Sequence, residues 1–507
     1  MRTFRYSALL SAAATYLLIF IGGLVRVSGA GLGCPDWPKC FDRWVPPTSL
    51  EQLPAHIDPT EFNITLAWIE YGNRLVGVVV GLLIVVTAIL AIRYFRDNPR
   101  VLWPSIGVAV LVAFQGWLGG VVVASELRPI IVTAHLLLAI AIALILLYAI
   151  LQSYYAEREA MVTELVYPAA ARRWIIGLGV LTFIQIVLGT QVRGQLEVIE
   201  KQVPLLSDLE WLSRVGVLQD AHLIVGVGTA LFALFVGYSL IRLSDETAVL
   251  VKQAVWLMIG LIVLQLLVGF FFIAFGLSAI MQLFHLWFAA LFFGVLLVLY
   301  SVVNHARELP ARFQKSVGRV IITGLVIAAI MTAGGFAVIK EAELSRSNLP
   351  VIGTVQEFSL RTAEGETYSL EDMKGSVTLL SFMYAASPSA PGLEVKKAEL
   401  YDRYDHSANL AFVTIVRELP HETAEITDYA GQLQVTDDRW HFLFGERDAI
   451  NVLTREIYRL ADREDIAGNN SYVLIDGMGR IRGFYRYDSD SDLRQLQQHV
   501  ITLARKP

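Results

Sequence analysis

Between residues 253 and 306 the chain carries not one Asp, Glu, Lys or Arg. A bilayer core about 30 Å thick takes roughly 20 apolar residues of helix, because backbone polar groups in lipid must find partners within their own segment. The uncharged stretch therefore holds two spans, joined by a tight turn around Gly276, Leu277 and Ser278. The same test predicts nine spans, near 6–25, 70–92, 101–124, 129–153, 174–193, 216–241, 253–275, 279–304 and 320–339. The first lacks a small-residue cleavage site before the Gly-rich segment that follows, so it is read as a membrane helix rather than a signal peptide. Composition agrees: 55% of the 507 residues are hydrophobic and 17% charged, against roughly 45–50% and 25% in soluble domains. A wholly soluble enzyme is excluded. The net charge of -5, without a Lys/Arg cluster, argues against nucleic-acid binding. Two cysteines, Cys34 and Cys40, are too few for a zinc ribbon, an iron–sulfur cluster or a disulfide-rich fold.

Loop Lys and Arg are retained on the cytoplasmic side. They cluster before the first span (Arg2, Arg5), after the second (Arg93, Arg96, Arg100), before the fifth (Arg172, Arg173) and around the sixth-to-seventh and eighth-to-ninth connections (Arg242, Lys252, Arg307, Arg312, Lys315, Arg319). This alternation predicts a cytoplasmic N-terminus. The loop with both cysteines and everything after residue 340 then lie outside, in a compartment that permits disulfides.

The chain also repeats itself. Gly-rich span ends recur as GGLVRVSGAG (22–31), QGWLGGVVVAS (115–125), QIVLGTQVRG (185–194) and QLLVGFFFIAFG (265–276). Between them, spans carry Asn73, His135, His222 and His285 near their outer ends. Asn73 precedes His135 by 62 residues and His222 precedes His285 by 63; the two halves are offset by 149 and 150. Two duplicated four-helix units account for this, each with a pair of inward-facing positions at one depth.

A histidine within a span faces the bundle interior and marks a site, because it is costly to leave unpaired in lipid. A satisfied structural histidine is the plainer alternative for any one of them. His222 and His285, equivalent on neighbouring helices, suit two-imidazole haem ligation better than zinc, which takes four close ligands. In the first half Asn73 faces His135, and Glu70 stands one turn before Asn73 on the same helical face. Glu70 is thus a candidate general base beside a substrate; an i,i+4 ion pair with Arg74 is the alternative. Arg26, Arg74 and Arg193 sit near outer span ends, as carboxylate partners or as snorkelling interfacial arginines.

GGLVRVSGAGLGCPDWPKC (22–40), the box Glu70-Tyr71-Gly72-Asn73-Arg74, Thr133-Ala134-His135-Leu136, Gln219-Asp220-Ala221-His222 and Phe284-His285-Leu286 together resemble the haem A synthase family of cytochrome oxidase biogenesis, over roughly residues 1–305. The resemblance implies eight helices in two pseudo-symmetric bundles. It implies haem b on His222 and His285, and a first bundle that accommodates haem O while its ring methyl is oxidised to a formyl group. Glu70 maps onto the catalytic Glu of an E-x-x-H-R box in which this chain has Asn73 for the histidine. A haem held by His135 alone keeps an open iron position, so the expectation is that chemistry is retained; the alternative is a non-catalytic haem-binding assembly factor, and a third reading is a haem b electron carrier. Arg26, Arg74 and Arg193 become candidates for the haem propionates. Cys34 and Cys40 match the family's extracytoplasmic pair, as a redox couple or as a structural staple. Implied partners are haem O as substrate, a haem O synthase and oxidase assembly proteins; a homo-oligomer is one admissible state.

After residue 346 the composition changes to mixed charges, frequent turns and short strands such as 378–383, 410–416 and 471–475. The chain is therefore expected to be an all-α membrane domain (1–312), a ninth helix with linker (313–348) and an α/β domain (349–507). The last is similar to the Sco group of thioredoxin-like copper chaperones, on Leu349-Pro350-Val351-Ile352-Gly353, Phe358-Ser359-Leu360, 370–375 and 470–479. Where that group has Cys-Pro-x-x-x-Cys, this chain reads Ala385-Ala386-Ser387-Pro388-Ser389-Ala390-Pro391, and the late ligand histidine falls among Asn469, Asn470 and Ser471. Without thiolates or that imidazole, neither copper transfer nor disulfide exchange is supported. The domain reads as a fold kept for binding, tethered in the bacterial cell membrane on its extracytoplasmic side.

Overall fold

The computed structural model describes residues 1–57, 62–156, 167–203, 205–206, 208–243, 249–305, 333–342, 349–362, 364–383, 390–404, 409–416, 435, 438–461, 465–466 and 470–504. Eight of its helices are long and apolar enough to cross a membrane: α1 (Arg2–Val27), α2 (Ile64–Tyr94), α3 (Pro99–Ala124), α4 (Pro129–Tyr155), α5 (Ala169–Gln202), α7 (Val217–Leu243), α8 (Val249–Phe275) and α9 (Ala279–His305). The tight turn between the last two falls at Gly276–Ser278, with Gly276 at φ +87°. Between α5 and α7 lies a short helix, α6 (Asp208–Val215), with Trp211 buried; an eight-residue element escapes a test for 20-residue spans. Of the predicted ninth span, 320–332 lies outside the described residues, and 333–342 is helical.

The chain divides into two compact units, Met1–Glu197 with Asp208–Glu343, and Val198–Ser207 with Leu344–Pro507. In the first, α1 packs on α2 and α4, and α3 joins α2 to α4, closing one four-helix bundle. Phe4, Ala8, Ile84, Ala91, Val101, Val108, Ile142 and Leu146 form its packed core. A second core draws on α5 (Ile175, Leu178), α7 (Val236, Leu240), α8 (Val251, Val255, Met258) and α9 (Leu296, Leu299). Both cores occupy the halves nearest the Arg-rich connections. A seam of Ile19, Phe20, Ile140, Leu283, Trp287 and Ala290 joins the bundles. The helix starts at the opposite end are fixed locally: Asn63 accepts from the Leu66 amide (3.1 Å) to cap α2, and Pro129 opens α4, where a missing N–H costs nothing.

The second unit contains an eight-stranded mixed sheet, order β1-β8-β7-β4-β5-β6-β2-β3. The strands are β1 (Gly353–Thr354), β2 (Ser359–Thr362), β3 (Thr367–Ser369), β4 (Val377–Met383), β5 (Leu410–Val416), β6 (Trp440–Phe444), β7 (Ser471–Ile475) and β8 (Arg480–Arg486). β4, β5 and β6 are parallel; β7 and β8 add antiparallel beside β4. Helices α10 (Ala390–Arg403), α11 (Arg447–Tyr458) and α12 (Asp490–Ala504) complete a thioredoxin-like fold. β4 is buried at every position, as a central strand covered on both faces requires. One polar cluster is sealed inside: Lys397 Nζ donates to Ser381 Oγ (2.7 Å), the Val413 carbonyl (2.7 Å) and Thr414 Oγ1 (2.8 Å), while the Glu394 carboxylate accepts from Ser381 (2.8 Å) and Thr414 (2.9 Å). Burial pulls Lys397 down to about 8.

His499 on α12 meets the Tyr485 hydroxyl of β8 at 2.5 Å, and burial pushes its imidazole down to about 4. Between that value and about 6.5, the ordinary imidazole value, the unfolded chain binds a proton here that the folded chain does not. The site therefore gives stability above pH 6.5 that is withdrawn as pH falls toward 4, up to about 3 kcal/mol. His499→Gln, which keeps an acceptor for Tyr485 without titrating, is expected to flatten that loss. Hydrogen exchange of β7 and β8 in the full chain, corrected for intrinsic rates, at pH 7 and pH 4.5 measures it.

Candidate functional site

The halves of the bundles away from the packed cores carry the histidines. His135, His222 and His285 lie five to six residues inside the starts of α4, α7 and α9, at matching depth. Asn73 lies deeper in α2, because the Asn63 cap starts that helix six residues before the apolar run predicted at 70. Nδ1 of all three imidazoles and Oδ1 of Asn73 are buried without a hydrogen-bond partner. The His222 and His285 ring centroids stand 6.3 Å apart at an interplanar angle of 67°, with Phe272 beside His285 at 5.6 Å. No group of three or more His, Cys, Asp or Glu side chains is placed to hold a metal ion among the described residues.

Glycines face three of these side chains, and the approach to His222 is too close for any other residue. A Cβ on Gly119 of α3 would sit 3.4 Å from His135 Cε1, one on Gly189 of α5 2.9 Å from His222 Cε1, and one on Gly22 of α1 4.0 Å from Asn73 Oδ1. Four residues before two of these glycines stand Gln115 and Gln185, and Gln265 of α8 holds the same place before Gly269. Their amides reach the carbonyls of His135, His222 and His285. Sequence reasoning took these segments as Gly-rich and passed over the glutamines; the recurring Q-x-x-x-G spacing was the available signal.

Cys34 and Cys40 form a disulfide, both fully buried, in a loop clamped to α2. Glu70 is buried and accepts from the Cys34 amide through Oε2 (2.8 Å) while pairing with Arg74 through Oε1. Arg74 also donates to the carbonyls of Asp36 (2.8 Å), Lys39 (2.6 Å) and Cys34 (3.2 Å). The guanidinium fork thus ties the loop down, and the pair is an intrahelical i,i+4 pair. Trp37 lies under Arg74 (5.1 Å) and against Gly120, where a Cβ would be 2.5 Å from its Cδ1. Adjacent glycines of α3 thus accommodate the His135 ring and the Trp37 indole.

Arg26 and Arg193, from corresponding segments of the two halves, share one carboxylate: Glu197 Oε1 is 3.0 Å from Arg26 Nε and 3.4 Å from Arg193 Nε. Glu197 was not anticipated; it follows Arg193 by four residues. The second bundle's loop is anchored differently. Asp208 Oδ2 at the start of α6 accepts from the Leu277 amide (2.8 Å) in the α8–α9 turn. In the sheet domain, 385–389 and Asn469, the positions compared with a copper-ligand set, lie outside the described residues, whereas Ala390 begins α10 and Ser471 begins β7.

Residues 5–298 match the model of the COX15-CtaA family, described as a cytochrome oxidase assembly protein. The chain is 37% identical over 131 residues to the heme A synthase of Shewanella oneidensis, covering 24% of this chain and 37% of that protein. It is 32% identical over 121 residues to the heme A synthase of Geobacillus thermodenitrificans, covering 24% and 33%. The chain thus spans little more than a third of the length of these curated relatives. Among solved structures, a SCO1/SenC family lipoprotein from Bacillus anthracis aligns at 16% identity and TM-score 0.25 over 30% of this chain and 96% of that one. Copper-bound Arabidopsis thaliana ScoI aligns at 18% and 0.24, over 31% and 99%.

Gly120→Ala drives a methyl into the Trp37 indole. It is expected to lift the disulfide loop at a cost of about 1–3 kcal/mol and to speed reduction of Cys34–Cys40 by a water-soluble phosphine, followed by thiol labelling.

Proposed function

Because the chain belongs to the COX15-CtaA family of cytochrome oxidase assembly proteins, we propose that it is a multi-pass membrane oxidoreductase of haem A synthase type, converting the ring methyl of haem O to the formyl group of haem A for cytochrome c oxidase. The observation that carries this reading is the pair of helix-borne imidazoles, His222 and His285, with ring centroids 6.3 Å apart and buried Nδ1 atoms that have no hydrogen-bond partner. Two nitrogen donors, with no third side-chain ligand among the described residues, fit a metal whose remaining positions a macrocycle fills. His222 and His285 would hold haem b there. When bound, haem b supplies a one-electron couple.

In the first bundle His135 would hold the substrate's iron, and Asn73 is too poor a ligand to compete for it. Taking a ring methyl to a formyl group with water as the oxygen source, R–CH3 + H2O → R–CHO + 4 H+ + 4 e−, passes the electrons to an external oxidant and releases protons that need an acceptor. Glu70 lies one turn from Asn73, its charge held by Arg74 and the Cys34 amide, and a carboxylate has lone pairs to spare beyond those two contacts. The Cys34–Cys40 loop, clamped by Glu70 and Arg74, would cover that end. Arg26 and Arg193, which share Glu197, are the residues that would meet the propionates of the substrate and of haem b. Loop Lys and Arg support an extracytoplasmic sheet domain, and a tethered module there raises the local concentration of the synthase at an oxidase subunit or assembly factor.

A second reading, a haem-binding assembly factor without catalysis, is favoured by Asn73 in place of an imidazole and by the commitment of Glu70 to the loop. Co-expression with a haem O source and extraction of the pigments separates the two. The synthase reading predicts haem A from the native chain and accumulated haem O from Glu70→Gln; unaltered haem O from the native chain favours the factor, and undiminished haem A from Glu70→Gln removes Glu70 from the chemistry.

A further inference from the structure

Each of the three bundle histidines has its backbone carbonyl taken by a glutamine of a neighbouring helix. Gln115 Nε2 donates to the His135 carbonyl (3.0 Å), Gln185 Nε2 to that of His222 (2.9 Å) and Gln265 Nε2 to that of His285 (2.8 Å). Every such Gln stands four residues before a Gly, so both face the same neighbour. At α5 and α7 the keying is mutual. A Cβ on Gly189 would lie 2.9 Å from the His222 ring, and one on Gly226, four residues after His222, would lie 2.8 Å from Gln185 Nε2. Each helix thus accommodates the other's polar side chain.

Only the donor end of the amide is engaged at two of these sites: Oε1 of Gln115 and of Gln185 is buried without a partner. A glutamine kept for general polarity would use both ends. A single interhelical hydrogen bond in lipid is weak, too little to hold a bundle whose packed cores lie elsewhere, but enough to choose between rotational settings of a helix. Resting on the haem b reading above, we propose that Gln115, Gln185 and Gln265 are positioning residues that fix the rotation of the histidine-bearing helices and thereby the planes of the imidazoles.

The experiment uses the full-length, haem-loaded protein and two readouts: the low-temperature electron paramagnetic resonance spectrum of the ferric state, whose largest g value follows the angle between the two axial imidazole planes, and the rate of haem loss to excess apomyoglobin. Gln185→Met and Gln265→Met, which keep length and lose the donor, are expected to retain haem b, shift the largest g value and speed haem loss about tenfold, the lower end of the effect of supporting contacts around metal ligands. Gly189→Ala, which presses on the His222 ring with Gln185 intact, is expected to shift the g value as well and supplies the answer if a glutamine variant fails to accumulate. Gln115→Met, in the other bundle, is expected to leave it unmoved. Haem b at the native level with unchanged g value and loss rate in both glutamine variants overturns the positioning role while leaving the haem reading intact. A native protein without haem b, or without a low-spin signal, overturns both.

Discussion

Inside a helix bundle that lipid surrounds, a ring nitrogen has no water to turn to, and the helical unit holds three imidazoles in that position. The apolar cores of both bundles are packed in the half near the Arg-rich connections. The other half holds the three histidines, with Gly189 where a Cβ would collide with the His222 ring. A buried nitrogen without a partner carries a desolvation cost, which a metal bound by these imidazoles would offset.

The two halves cover their sites by different means. Over the first bundle the loop is cross-linked, clamped by a buried Glu70–Arg74 pair and seated by Trp37 on Gly120. Removing one member of a buried pair costs about 3–5 kcal/mol, so this loop is held firmly on α2. Over the second bundle the short helix α6 is pinned to the α8–α9 turn by Asp208. A permanently held cofactor and a substrate that must enter and leave make different demands on a cover, and the asymmetry of the loops matches the asymmetry of His222 and Asn73.

The eight spans, the charge-free pair around Gly276 and the matched histidines were legible because hydropathy and spacing are written directly in the chain. Strands β5 and β7 were legible too, as alternating or continuous apolar runs between turn residues. What could not be read is contact made with backbone. Gln115, Gln185 and Gln265 bond to carbonyls, and so does most of the Arg74 fork, and a carbonyl leaves no mark in the sequence. Glu197 escaped for a related reason: its value lies in joining Arg26 to Arg193, 167 residues apart. The start of α2 was set by the Asn63 cap, which hydropathy does not see.

The central claim is that His222 and His285 grip one iron from opposite sides. Near-infrared magnetic circular dichroism of the purified ferric protein reads axial ligands directly. The account predicts the charge-transfer band of two-nitrogen ligation in the native chain, and its loss in both His222→Ala and His285→Ala. A native band of another ligand type, or one that survives either replacement, would contradict it.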